Sequence, residues 1–387
     1  MGLSAASTDV LSVDLGTAST SAVVRRPDGG TVTVEFDGDP LLPSGVCAVS
    51  GGRLATGRDA RDLADTHPDR YEPAPKRRIG GDSVTLGHRD YAAEELVAAV
   101  LGRTLEETRG LTGREPGRVV LTFPAGWGPD RRMVLVEAAR RLGVTDPMLL
   151  PEPIAAARFI SSVHPCAVPV GRTTVVYDLG AGAFDATVLR RTPHGFTQLA
   201  SEEVPDAGGE ALDAAIAAHL TAAGEEHGQT PKRLLLDRVR AAKERLSRDT
   251  ATTVRLLDRA VPLNRQQLEA VARPILDRTV AATRAALVAA GPPASRLAAV
   301  FLIGGSSRIP LAALLLHNAF GVAPTLVDRP DLVVARGAAL PGSRPTPAPV
   351  GPQPGPANRP WLSRLARAVT RPGGGRRGDG PTAGFRG

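Results

Sequence analysis

Apolar positions along the chain fall into short strand-like runs closed by turn residues and longer stretches with helical spacing. Residues 10–14 form a strand run that turns at Gly16 and continues over 21–25, with 31–36 as a third strand. The spacing predicts a helix over 92–108. An apolar strand over 119–123 is stopped by Pro124, and helices over 131–142 and 153–162 flank a short strand at 148–150. The pattern then restarts with a strand over 174–178, a turn at Gly180 and a strand over 185–190. Helices over 210–223, 232–247 and 266–290 lead to a buried strand at 300–303 that ends in Gly304-Gly305. Helices over 310–320 and 331–339 close the periodic part.

The restart is a weak internal repeat. Val13-Asp14-Leu15-Gly16 matches Tyr177-Asp178-Leu179-Gly180, each at the end of one strand and the start of the next. Asp-Leu-Gly alone is a common tripeptide, so the matched strand context carries the argument. An α/β chain of two duplicated lobes is expected, one over 9–172 and one over 173–340, with the last helix returning to pack on the first lobe. A tail, 341–387, follows.

The two turns suggest chemistry. A glycine after a strand lets backbone N–H groups approach phosphate oxygens without a side chain in the way. Gly16, Thr17, Ala18 and Ser19 supply the first turn; Gly180, Ala181, Gly182 and Ala183 supply the second. If the halves face each other, the two loops would clamp one polyphosphate. Asp14 and Asp178 would then stand close together, and a cation between them, Mg²⁺ held through its waters, would relieve their repulsion. None of the lysines follows a glycine, which excludes GxxxxGK[ST], and no GxGxxG opens a helix after the first strand.

Composition narrows the picture. The chain has 387 residues, enough for two cores, and at 3% aromatic content those cores must be aliphatic. Of 47 basic residues only three are lysines, Lys76, Lys232 and Lys243. The net charge of +7 resides in the tail, so the body is neutral and the basic balance gives no reason to expect a specific nucleic-acid partner. Cys47 and Cys166 form no CxxC and read as buried thiols; the histidines show no metal-ligand spacing. No apolar run approaches a membrane span and the N-terminus lacks a signal-peptide pattern, so a cytoplasmic protein is expected. The tail, with ten of the 34 prolines, is expected to be disordered. Within it, 361–371 gathers Trp361, Leu362, Leu365, Ala366 and Val369 on one helical arc and Arg364, Arg367 and Arg371 on the other. That segment reads either as an element docking on an anionic membrane surface or a protein partner, or as a solvated basic tail.

Eight segments in order resemble the DnaK-type heat-shock protein family, over roughly 9–340. They are Val13-Asp14-Leu15-Gly16-Thr17, Lys76-Arg77-Arg78-Ile79-Gly80, Leu121-Thr122-Phe123-Pro124-Ala125, Pro151-Glu152-Pro153-Ile154-Ala155-Ala156-Ala157, the second Asp-Leu-Gly turn through Asp185, Ala242-Lys243-Glu244-Arg245-Leu246-Ser247, Ile303-Gly304-Gly305-Ser306-Ser307-Arg308-Ile309-Pro310, and Pro330-Asp331 with Ala335-Arg336-Gly337-Ala338-Ala339. The resemblance implies an actin-like ATPase fold with the nucleotide, ATP or ADP, and Mg²⁺ between the lobes. It implies that Lys76 acts on the γ-phosphate and attacking water, and that Glu152 orients the Mg²⁺ water shell or the nucleophile. Read without it, Lys76 belongs to a solvated basic run and Glu152 is a helix N-terminal acid. Asp14, Asp178 and Asp185 would complete the acidic side. Gly304, Gly305, Ser306 and Arg308 would wall the adenosine with Asp331 nearby; Lys243 and Ser247 would reach the ribose and base; Gly208-Gly209 would lie near the phosphates.

Three departures from the family pattern stand out. Ala181 and Ala183 replace a glycine and a threonine, and Glu244 replaces a basic residue near the base. Beyond Leu340, proline and arginine follow where the family has an apolar linker and a peptide-binding sandwich, so that domain is expected to be absent. The expected function is ATP binding and slow hydrolysis coupled to a protein partner. A non-hydrolysing nucleotide sensor is the alternative. The Lys-Arg-x-Ile-Gly and Gly-Gly-Ser-Ser-Arg-Ile-Pro segments point away from filament-forming actin relatives and sugar kinases.

Overall fold

The computed structural model describes residues 8–342, apart from 166, 223–230, 258 and 292–296. Two sheets organise this part of the chain. In the first, Val10–Leu15 is central: it pairs antiparallel with Ser19–Arg25 through the Gly16 turn and parallel with Arg118–Phe123, which carries Met148–Pro151 on its far side. Thr31–Thr33 and Leu41–Pro43 extend the other edge. In the second, Thr173–Leu179 pairs antiparallel with Phe184–Thr192 through the Gly180 turn and parallel with Leu297–Ile303. Gly195–Val204 forms the outer edge. The same unit, strand, Asp-Leu-Gly turn, antiparallel strand and a later parallel neighbour, is thus built twice.

The cores are aliphatic. Leu11, Val13, Leu15, Leu96, Val97 and Leu121 centre one; Val175, Leu179, Leu212, Leu276 and Leu302 centre another, around the few large aromatics Tyr177 and Phe184. A third cluster is shared by the two sheets. It packs Val10, Val120 and Leu150 with Val176, Leu189 and Phe301 around the helices Glu152–Val163 and Val333–Ala339. These helices cross so closely that a Cβ on Gly337 would fall on the carbonyl oxygen of Ala155. The last helix is also bonded to the first sheet: Ser12 Oγ lies 2.7 Å from Ala335 O, and Arg25 Nε donates to Ala339 O at 2.8 Å.

Helix boundaries follow their local chemistry. Asn264 Oδ1 accepts the Gln267 N–H at 2.8 Å while Gln267 Oε1 accepts the Asn264 N–H at 3.0 Å, which starts Arg265–Ala289. Pro310 opens Pro310–Phe320, and Gly321 in the left-handed region ends it. The expected strand over 31–36 is shorter, Thr31–Thr33, because Asp37 and Gly38 both take positive φ and turn the chain back, leaving a single bridge between Phe36 and Asp39. Each half also carries an accessory layer. On the first it comprises Gly57–Thr66, Ala93–Thr112, the three-stranded sheet Val46–Ala48, Leu54–Thr56 and Tyr71–Glu72, and the hairpin Val84–Leu86 with Arg89–Tyr91. On the second it comprises Gly209–Ala222, Lys232–Leu246 and the hairpin Ala251–Arg255 with Ala260–Asn264. Cys47 is buried; Cys166 and the 361–371 segment lie outside the described residues.

Candidate functional site

The two Asp-Leu-Gly turns face each other across one cleft of about 920 Å³. Each is tied down by hydrogen bonds from residues outside the turn. Ser44 Oγ donates to Gly16 O at 2.9 Å, and the Ser44 N–H donates to Ala18 O at 3.0 Å, which fixes the first turn. At the second, Gly180 O and Ala181 O accept the N–H groups of Gly209 and Glu210 at 2.9 and 2.8 Å, so the start of Gly209–Ala222 seats the loop. The turns meet at Gly182: a Cβ there would stand 2.7 Å from Thr17 Oγ1 and 2.8 Å from Thr17 Cγ2. Arg77 reaches over from the first half, with Nη2 3.3 Å from Gly182 O and 2.7 Å from Glu210 Oε2.

Beneath the turns lie four carboxyls and one ammonium. Lys76, on the single helical turn Pro75–Arg78, pairs with Glu152 at 2.8 Å and stands 5.8 Å from the Trp127 ring centroid. Glu152 begins its helix directly after the strand Met148–Pro151. Asp14 accepts a hydrogen bond from Thr122 Oγ1 at 2.8 Å, and Asp178 lies opposite Asp185 in the hairpin register.

Burial pushes the Asp14 carboxyl above its ordinary value against the pull of Lys76 and Thr122. Glu152 is pushed up to about 7 by burial, with Lys76 opposing and Asp14 adding. Asp178 is held well above the carboxylate range by burial and by Glu152, Asp185 and Asp14; Asp185 is pushed to about 7 by burial and Glu203. The Lys76 ammonium is raised: burial works against its charge, but Glu152, Asp14 and Asp178 outweigh it. One cation among one buried and three partly buried carboxyls leaves negative charge uncompensated.

At the far end, Gly304 closes Leu297–Ile303 at φ +80°, where a Cβ would strike Asp178 Oδ1 at 2.6 Å. The turn Gly305–Arg308 follows. Arg308 pairs with Asp331 at 2.9 Å and Arg329 with Asp331 at 2.6 Å. Burial works to raise the Asp331 carboxyl, but its bonds to these guanidinium groups hold it below its ordinary value. Lys243 is 5% exposed, and its ammonium pairs with Asp213 at 2.7 Å and donates to Gly209 O at 2.9 Å. Burial lowers its pKa, with Asp213 opposing.

A model of the Hsp70 protein family matches residues 81–347. The chain belongs to the Hsp70 family. A chaperone protein DnaK of Halobacterium salinarum is 30% identical over 356 residues, covering 87% of this chain and 56% of that protein. Chaperone protein HscA homologs of Acidithiobacillus ferrooxidans and Bordetella pertussis are each 32% identical, over 363 and 356 residues, covering 85% of this chain and 57% of each relative. The chain therefore spans little more than half the length of these relatives. Membership gives the actin-like ATPase fold, and the family's members are ATPases.

In this Hsp70-family chain the cleft is lined by Asp14, Gly16, Thr17, Ala18, Ser19, Lys76, Glu152, Asp178, Gly180, Ala181, Gly182, Ala183, Asp185, Gly209, Lys243, Ser247, Gly304, Gly305, Ser306, Arg308 and Asp331, all expected from sequence; Gly208, also expected, does not line it and packs against the backbone of Ala181 and Gly182. Two differ in orientation from the expected picture. The Lys243 ammonium is drawn back onto Asp213, and Ser247 Oγ lies 3.3 Å from Lys243 O within its own helix. Among the residues to which sequence reading gave no role, Ser44, Asp213 and Glu210 support motif residues from outside any motif, and Thr122 supports Asp14 from within the 121–125 segment. Arg77 had one available signal, its place beside Lys76. A further set spans the mouth: Arg61 lies 3.6 Å from Asp237, and Arg233 lies 3.4 Å from Asp65, donates to Arg61 O at 2.6 Å and covers the Tyr71 ring at 5.2 Å.

The cleft fits a nucleoside triphosphate in size, in its paired glycine turns and in its charge. Its acidic floor lacks positive charge, which a divalent cation would supply. Among the described residues there is no group of three or more His, Cys, Asp or Glu side chains that could hold a metal ion.

Proposed function

We propose that the chain binds ATP with Mg²⁺ between segments 9–172 and 173–340 and hydrolyses it slowly, coupling closure of the two lobes to a protein partner. One observation carries this: Asp14, Lys76, Glu152 and Asp178 converge under two glycine turns in one cleft. In this reading the N–H groups of Gly16 to Ala18 and Gly180 to Gly182 hold the phosphates. Asp14 and Asp178 hold Mg²⁺ through its waters; the ion contributes charge neutralisation on the phosphate oxygens. Lys76 exchanges part of its pairing with Glu152 for the γ-phosphate, where negative charge grows as water attacks phosphorus and the bond to the bridging oxygen breaks. Glu152, poised near neutrality, orients that water or accepts its proton. Gly304, Gly305, Ser306, Arg308 and Asp331 wall the adenosine, with Lys243 and Ser247 behind the ribose.

A second reading, a nucleotide sensor that binds without turnover, is favoured by Ala181 and Ala183. These give the second turn no hydroxyl to place on the attacking water. No helix among the described residues is long and apolar enough to cross a membrane, and we propose cytoplasmic residence. Calorimetric titration and thermal melting with ATP-Mg²⁺, followed by single-turnover hydrolysis with Lys76→Ala as control, test both readings. Tight ATP binding with a rate abolished in Lys76→Ala supports the ATPase. Binding without turnover leaves the sensor, and unchanged melting and titration overturn both.

A further inference from the structure

We infer that Glu72 is a positioning residue for Lys76: its carboxylate staples the two ends of the single helical turn on which Lys76 is carried. The inference rests on the proposed role of Lys76. That turn, Pro75–Arg78, has four residues, far fewer than an autonomous helix needs. Its N-cap, Ala74, offers no side-chain oxygen, and Pro75 supplies no N–H. Local sequence therefore does not hold it.

Glu72 does. It ends the two-residue strand Tyr71–Glu72, which is anchored by pairing with Val46 and Cys47 at the centre of a small sheet. Its side chain is 3% exposed. Oε1 accepts the buried Ala74 N–H at 2.9 Å, just before the turn, and Oε2 accepts Arg78 Nε at 2.6 Å, at its end. Lys76 lies between these two anchors. Its ammonium makes one hydrogen bond, to Glu152, so its reach into the cleft depends on where the backbone turn sits. Without the carboxylate, the Ala74 N–H loses its acceptor and the half-exposed Arg78 returns to water. The turn then keeps its buried Pro75, the neighbouring Ile79 and the Arg77 contacts to Gly182 and Glu210, none of which bridges its two ends. An ion pair serving stability alone would weaken the fold generally; a staple releases Lys76 selectively.

The three lysines make this measurable. The full chain is pulse-acetylated without nucleotide and read by mass spectrometry. Lys76 reports the turn, and Lys243, buried against Asp213, reports global opening. Glu72→Ala is expected to raise Lys76 labelling roughly tenfold, the factor one such hydrogen bond is worth, with Lys243 at its wild-type rate. Glu72→Gln keeps the volume and one acceptor; it is expected to show the same selective rise at smaller amplitude, and it serves if the alanine variant fails to fold. Unchanged Lys76 labelling, or Lys76 and Lys243 rising together, overturns the inference. In single-turnover hydrolysis Glu72→Ala should slow the rate with unchanged ATP affinity, and should cause no further loss on a Lys76→Ala background; additional slowing there overturns it. A wild-type chain that binds ATP without turnover defeats the hydrolysis reading alone, since the labelling needs no activity.

Discussion

Replacing Asp185 by asparagine should stabilise the nucleotide-free protein, and more so at pH 8 than at pH 5. Asp185 stands directly opposite Asp178 on the antiparallel hairpin, where like charges repel. Burial is the larger cause of its raised carboxyl pKa; Glu203 adds to it and Lys76 opposes it. The folded carboxyl keeps its proton up to about pH 7, against an ordinary value of 3.8. Between those values the folded state binds more protons than the unfolded one. Stability therefore falls as pH rises through the window and levels off above it. A shift of this size makes the folded state of the wild type lose about 1–3 kcal/mol between pH 5 and 8. Asparagine keeps the shape of the side chain without the charge, so its advantage over the wild type should grow by that amount. Urea unfolding at both pH values, with EDTA and no nucleotide, measures it. A difference that does not change with pH, or an asparagine variant less stable at pH 8, refutes the account of the cleft floor as short of positive charge.

Three other perturbations follow, two from the cleft geometry and one from the sequence of the tail. Gly182→Ala places a methyl against Thr17, so calorimetry should show ATP affinity reduced by roughly tenfold, a penalty of about 1–3 kcal/mol for overpacking; Thr17→Ala in the same chain should restore part of it. Arg233→Ala removes contacts to Asp65, Arg61 and Tyr71 across the cleft mouth and should speed release of a fluorescent ADP in stopped flow by up to roughly tenfold, since exposed pairs contribute about 1 kcal/mol or less each; unchanged release would remove the mouth contacts from nucleotide retention. The full chain should co-sediment with anionic vesicles at low salt while a version ending at Leu340 should not, and equal behaviour of the two would discard a membrane role for 361–371.

Sequence patterns gave access to some parts of this molecule and not others for physical reasons. The Asp-Leu-Gly turns were readable because a strand, a carboxylate and a glycine are consecutive, and both proved to be hairpin turns between paired strands. The long helices 232–246 and 265–289 were readable because several turns of periodic apolar residues repeat the signal. The layer between Leu41 and Tyr91 was not, because its strands are two or three residues long and carry too few alternations to register. The strand Gly195–Val204 is an edge strand with one largely half-buried face, and its alternation is blurred accordingly. Ser44 and Asp213 escaped for a different reason: each is a common residue type whose role comes from a partner far along the chain, Gly16 and Lys243; Thr122 stood inside a recognised segment, but its bond to Asp14 was not legible there. Arg78 and Glu72, only six positions apart, look like ordinary surface charges until the burial of Glu72 is known.

The distribution of contacts between the two sheets bears on how the cleft would open. At its base the halves share one dry core, and the helices Glu152–Val163 and Val333–Ala339 meet at a distance only Gly337 permits. Separating them would expose Val176, Leu189 and Phe301 together, and burial of each large apolar side chain contributes about 1.5–3 kcal/mol. At the mouth, Arg61 with Asp237 and Arg233 with Asp65 are partly exposed ion pairs worth about 1 kcal/mol or less each. The balance favours rotation about the shared base, with the mouth pairs breaking first. Lys76 and Glu152 sit on the short turn Pro75–Arg78 and on the start of the base helix Glu152–Val163 respectively. In the proposed reading, a ligand that drew Lys76 away from this 2.8 Å pair would act on a residue of the base helix and on the turn that carries Lys76 at once.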